Sequence, residues 1–190
     1  LALQVPGRYN LANAAAAFCV GVLLGHEPQA LVQAAAGFTG TLRRFQLVGE
    51  ASGVHVYDDY AHHPTEVRAA LTAARKAADQ GRVVACFQPH LFSRTRDFAK
   101  EFGEALALAD LVVLTDIYAA REDPMDGVDG TLVLDACRAA GAEAVYVPNK
   151  AHLPQALAEL VQPTDLVMTL GAGDVTLVGP LLVEQLEGRS

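Results

Sequence analysis

Long apolar runs, an excess of positive charge and clustered cysteines are all missing from this chain, and each absence excludes a class of protein. No apolar run reaches the roughly 18 residues that read as a membrane span. The longest candidate, Ala14 to Leu24, falls well short. Nothing at the N-terminus has a basic region, an apolar stretch and a cleavage site in series, so no signal peptide is visible. Fourteen Lys plus Arg stand against 22 Asp plus Glu, a formal net charge of −8. That balance argues against non-specific binding to nucleic acid or anionic membrane, while leaving room for a local basic phosphate site. Cys19, Cys86 and Cys137 are odd in number, far apart and set among apolar residues. They read as reduced core cysteines of a cytoplasmic protein.

Two phosphate-gripping signatures are also missing. Gly171-x-Gly173 has Thr rather than a third glycine at 176, so it is no full dinucleotide fingerprint. None of Lys76, Lys100 or Lys150 is followed by Ser or Thr, so no complete P-loop is present. A tight strand-to-helix turn explains the GAGD segment adequately.

What is there is a globular chain of 190 residues, 52% hydrophobic and 19% charged. Its length suits one domain, or one domain plus a piece of another. LALQVPG reads as the end of a strand already inside a fold. A helix pattern then runs from Asn10 to about Leu24 and stops at Gly25, and Pro28 opens a shorter helix ending near Gly37. Two helices without a complete sheet make a poor core, so residues 1–44 read as the tail of a domain whose main part lies upstream. From residue 45 onward the pattern is regular. QLVGEA and VHVYD flank Ser52-Gly53 as a β-hairpin. A helix opened by Pro64 carries the stripe Val67, Leu71, Ala74 and Ala78. Then come strand RVVACF, a helix bearing Phe98, Phe102 and Leu106, strand LVVLT, and a helix around Leu134 and Cys137. Strand AVYV, helix Leu153–Leu157–Leu160, strand LVMTL and a helix from about Asp174 finish residues 45–190. This alternation predicts an α/β, Rossmann-like, doubly wound and mostly parallel sheet.

In such a sheet, ligands bind outside the carboxyl ends of the strands. Four polar or glycine-rich loops follow strands on that rim: DYAHHPTE, QPHLFSRTRD, DIYAARED and GAGD. The first has three competing readings. Its carboxylates and imidazoles could hold a metal, but adjacent histidines rarely converge on one ion and no ligand spacing accompanies them. His63 could simply cap the helix that Pro64 opens, assisted by Glu66. Asp59, Tyr60 and His62 are not needed for capping, so a binding role suits them better. In the second loop Ser93 is a candidate N-cap. Arg94 and Arg96 cannot share a helical face, so at most one enters the rim site and the other is solvated or paired with Asp97. A guanidinium at a helix start can hold a carboxylate or phosphate through two parallel hydrogen bonds.

PGRYNLANA, RRFQ, DDYAHHPTE, FQPHLFSRTRD and DIYAAREDP, in this order, closely resemble the Mur ligases. The resemblance covers nearly the whole chain. It implies an ATP-dependent amide-bond-forming enzyme of peptidoglycan synthesis, with an N-terminal UDP-substrate domain, a central ATPase domain and a Rossmann-like C-terminal domain. Residues 1–44 would be the last helices of the ATPase domain and 45–190 the C-terminal domain. The resemblance is closest to members that join L-alanine to UDP-N-acetylmuramate. The ligase that recycles murein tripeptide shares the DDxAHHPT element but differs in the second loop. By resemblance Asn10 and Asn13 contact adenine, Arg44 the terminal phosphates and Asp59 the ribose. Tyr60, His62, His90 and Arg94 would hold the incoming L-alanine. The family usually has His where Tyr9 stands and often Arg where Leu91 stands. ATP and Mg²⁺ would turn the muramate carboxylate into an acyl phosphate, with the Mg²⁺ ligands mainly upstream. Arg44 would stabilise the transferred phosphoryl group, and His62 is a candidate to take the ammonium proton. Alone, these residues would be inactive. Two other readings are a non-catalytic nucleotide- or amino-acid-binding module and an unrelated metal-dependent hydrolase using the histidine pair.

Overall fold

A computed structural model describes residues 2–5 and 7–189. Two helices, α1 (Arg8–Leu23) and α2 (Pro28–Ala36), precede the α/β part. The chain then runs β1 (Gln46–Ala51), β2 (Val54–Asp59), α3 (Pro64–Ala77), β3 (Val83–Phe87), α4 (Phe92–Leu106), β4 (Leu111–Leu114) and α5 (Thr131–Ala139). It ends with β5 (Ala144–Tyr146), α6 (Leu153–Leu160), β6 (Leu166–Leu170) and α7 (Val178–Glu187). The six strands form one sheet in the order β1-β2-β6-β3-β4-β5. Among the described residues only the β1–β2 hairpin is antiparallel; every other strand pairing is parallel.

Side chains alternate between the two faces of each strand, and both faces of β3, β4 and β6 are covered, which is why these strands read as largely apolar runs. Val83, Ala85 and Phe87 pack with Met168 and Leu170 on the face covered by α3, α4 and α5, alongside Leu71, Phe102 and Leu106. Val84, Cys86, Val113 and Val167 point to the other face, against Leu153 and Leu157 of α6 and Leu182 of α7. The doubly wound, mostly parallel sheet is therefore as expected.

Several local expectations are corrected. Residues 2–5 form no strand; Leu1 and Pro6, which belong to the same expected strand end, lie outside the described residues. Cys19 is exposed, and only Cys86 and Cys137 are buried. Helix α1 places it on a face that nothing in residues 45–189 covers. The last helix opens with a 3₁₀ segment, Asp174–Leu177, before α7 begins. Helix α4 starts one residue ahead of Ser93, with Leu91 as its cap at φ +71°. The Ser93 hydroxyl and backbone N–H both donate to Glu122 instead.

Candidate functional site

Strand register sets the site. Asp59 pairs with Leu170, Leu170 with Phe87, and Phe87 with Leu114, so four strands end in one row. Because β6 lies between β2 and β3, the GAGD loop sits between DYAHHPTE and QPHLFSRTRD, with DIYAARED beyond. The four loops share one rim.

Arg43 ties this rim to the crossover from α2. Its φ of +58° turns the chain. Its Nε meets the Asp58 carboxylate at 3.2 Å, and Nη2 donates to the carbonyls of Gly171 at 2.5 Å and Gly173 at 3.1 Å. The Arg43 carbonyl accepts from Tyr60 N–H at 2.8 Å, and its guanidinium lies 4.8 Å from the Tyr60 ring centre. Asp58 is held in turn by the hydroxyls of Thr169 and Thr176. Sequence reasoning missed Arg43, since nothing in RRF tells its two arginines apart. Gln88 is a second missed residue: it accepts from Val175 N–H and donates to Asp174, which also pairs with Lys150.

Asn10, Asn13, Arg44 and Asp59 all line one cavity of about 810 Å³, between α1, α2 and the start of α3. Ala14, Ala17, Phe18 and Phe38 give it an apolar floor, while Thr65 and Glu66 border it from α3. Asp59 takes no part in capping α3, but it does carry a structural duty. Its two carboxylate oxygens accept the N–H groups of Phe45 and Ala61, each at 2.9 Å. Burial raises its pKa despite those bonds and the nearby Arg44. Tyr9, at the same wall, is pushed up to about 12 by burial and by Asp59.

The acceptor-side residues meet on the adjoining rim. Tyr60 and His62 rings stand 5.1 Å apart and edge-on, and His62 and His90 rings 5.9 Å apart. Arg94 reaches His90 Nδ1 at 3.3 Å, while Arg96 turns away to Asp97. Burial, Arg94 and His62 all lower the His90 pKa. Tyr118, another residue missed from sequence, stacks on His90 with ring centres 5.7 Å apart. It lies over Gly173, where an added Cβ would stand 2.7 Å from the Tyr118 ring. His63 caps α3, accepting from Thr65 N–H at 3.3 Å. Glu66, expected to assist that cap, instead accepts the His62 N–H at 3.0 Å. Among the described residues, no three His, Cys, Asp or Glu side chains are arranged to hold a metal ion.

A mostly parallel sheet covered by helices on both faces, with a cavity beside a cluster of imidazole and guanidinium groups at its strand ends, defines a doubly wound α/β domain. The Mur ligase, glutamate ligase domain family matches residues 43–173, and the chain belongs to that family. It is 69% identical, over its whole length, to UDP-N-acetylmuramate–L-alanine ligase of Cutibacterium acnes. With the enzyme of the same name from Kineococcus radiotolerans it shares 54%, also over its whole length. It spans 41% and 40% of those two relatives. The crystal structure of UDP-N-acetylmuramate-alanine ligase from Thermotoga maritima superimposes with a TM-score of 0.79 at 30% identity, covering 99% of this chain and 40% of that one. A murein peptide ligase from Psychrobacter arcticus covers 98% of this chain and 38% of its own, with a TM-score of 0.74. At 19% identity it speaks for the fold alone. No described helix is long and apolar enough to cross a membrane.

Proposed function

We propose that this chain is the C-terminal part of an ATP-dependent ligase that joins L-alanine to UDP-N-acetylmuramate in peptidoglycan synthesis. The observation that carries the reading is the position of Arg44. It lines the cavity with Asn10, Asn13 and Asp59, and its guanidinium lies 5.9 Å from the ring centre of Tyr60 on the acceptor rim. A phosphoryl group carried on a nucleotide in the cavity would arrive beside a bound amino acid.

The cavity fits such a nucleotide. Alanine and phenylalanine side chains suit an apolar base face, and two asparagines supply paired donors and acceptors for its edge. Asp59 keeps one lone-pair site per oxygen beyond its backbone bonds, enough to accept from a ribose hydroxyl. Mg²⁺ would neutralise phosphate charge. By the family resemblance its ligands lie mainly in the upstream domain, and no step here passes through it.

In the first step a muramate carboxylate oxygen attacks the γ-phosphorus of ATP and ADP leaves, giving an acyl phosphate. Arg44 stabilises charge on the transferred group. In the second, the alanine nitrogen, stripped of a proton, attacks the acyl carbon, and inorganic phosphate departs with the bonding pair and a second proton from that nitrogen. Tyr60, His62, His90 and Arg94 position the alanine, with Arg94 on its carboxylate. Residues 1–44 are the tail of the ATPase domain. Apolar side chains left at the surface of α1 and just after it support this, Leu23 at 85% and Leu24 at 73% exposure.

Phosphate release with UDP-N-acetylmuramate, ATP and L-alanine tests the reading. The protein containing the upstream domains should release phosphate, and this chain alone should not. Turnover by the isolated chain, or none by the longer protein, overturns it. Replacing Arg44 with Ala should lower kcat at least ~100-fold.

A further inference from the structure

We infer that Glu66 is a positioning residue, holding His62 with its proton on Nδ1 so that Nε2 is the base for the incoming ammonium group. The inference rests on the ligase reading above and assigns the base within that site.

The assignment follows from which groups can donate. His62 Nδ1 lies 2.9 Å from the Tyr60 carbonyl oxygen. A carbonyl only accepts, so Nδ1 carries the hydrogen and the lone pair remains on Nε2. Glu66 Oε2 stands 3.3 Å from the same Nδ1 and also accepts the His62 backbone N–H at 3.0 Å. The Tyr60 carbonyl and the carboxylate together favour the Nδ1–H tautomer, while the carboxylate also anchors the His62 backbone and faces the charge that appears when Nε2 is protonated. A carboxylate behind an imidazole does the same in a hydrolase triad, where it orients the ring and stabilises the imidazolium.

His90 is wired the opposite way. Its Nδ1 is met by Arg94, which has only donors, so that nitrogen's lone pair is occupied and the hydrogen sits on Nε2. Burial, first, and then Arg94 and His62 lower the pKa of this ring, which disfavours its protonation. His90 thus presents an N–H and His62 a lone pair, on rings 5.9 Å apart. Besides each other, the two rings face Tyr60 and Glu66 from one side, Arg94 from α4, and Tyr118, Arg121 and Glu122 from the loop after β4. None of these is a second free base in line with His62. In the step itself an ammonium N–H bond breaks, the proton moves to His62 Nε2, the freed pair attacks the acyl carbon, and the adduct gives a second N–H proton to the departing phosphate.

The test uses Glu66→Gln in the ligase that includes the upstream domains. The amide can still accept the His62 backbone N–H but carries no charge. We expect kcat to fall ~10- to 100-fold, with KM for alanine unchanged. The deficit should narrow as pH rises, because the amine then arrives without its proton. Positional isotope exchange in ATP, which reports acyl phosphate formation before alanine acts, should stay at the wild-type rate. A wild-type kcat, an equal loss at every pH, or a matching loss of isotope exchange would overturn the assignment. Imidazole ¹⁵N shifts on this chain itself provide the independent readout. His62 should be the Nδ1–H tautomer and His90 the Nε2–H tautomer; the reverse pattern sinks the inference whatever the ligase assay shows. Failure of the wild-type enzyme to turn over would instead sink the ligase reading.

Discussion

Arg43 and Arg44 are neighbours in the chain, yet the left-handed turn at Arg43 sends their guanidinium groups to different work. Arg44 faces the cavity, while Arg43 is consumed by Asp58, two loop carbonyls and the Tyr60 ring. Arg43→Ala would leave the Asp58 carboxylate, 3% exposed, with two hydroxyls and no cation. We expect a loss of about 3 kcal/mol in urea unfolding, and a smaller loss for Arg43→Lys, which keeps charge but not the fork. His90 supplies a pH signature. Its folded pKa lies below the ordinary 6.5, so the unfolded chain takes up the proton first. Stability is then intact above that value and is lost as pH falls through the folded one. Unfolding midpoints should drop below about pH 6.5, and His90→Asn should remove that part of the drop. At this scale the sequence was legible in residue type but not in division of labour. Asp58 and Asp59, or Arg43 and Arg44, are equivalent as letters; a backbone turn and strand register separate them.

Elements were easier to read, because burial on both faces leaves β3, β4 and β6 as uninterrupted apolar runs between glycine or polar breaks. Helix α4 and its partner α5 show what such patterns omit. Gly103 of α4 lets the two helices touch, since an added Cβ would stand 2.4 Å from the backbone carbon of Ala136. Gly103→Ala should cost about 3 kcal/mol through forced separation, visible as a lower Tm with the fold retained. The start of α4 was misread for a related reason. Ser93 is a good cap by type, but Glu122, 29 residues away, takes the first-turn N–H instead. A second element-scale test lies at the turn after β6. Gly173→Ala would place a Cβ 2.4 Å from Gln88 Oε1 and 2.7 Å from the Tyr118 ring. In the proposed ligase it should raise the KM for alanine more than it lowers stability, because the displaced ring is the one stacked on His90.

Sheet order was not legible at all. Periodicity says which segments are strands, whereas their arrangement is decided by which surfaces finally meet. Strand β6 pairs with both β2 and β3, so the rim exists only once it is inserted. As the ribosome extends the nascent polypeptide, the β1–β2 ribbon and the β3-β4-β5 ribbon must wait as separate halves, each with an unpaired border. A stop codon anywhere before Asp165 would remove the keystone and not merely shorten the protein. The product should be found in inclusion bodies, with neither half soluble. The row of strand ends that carries the rim loops therefore closes late, once β6 has joined β2 to β3.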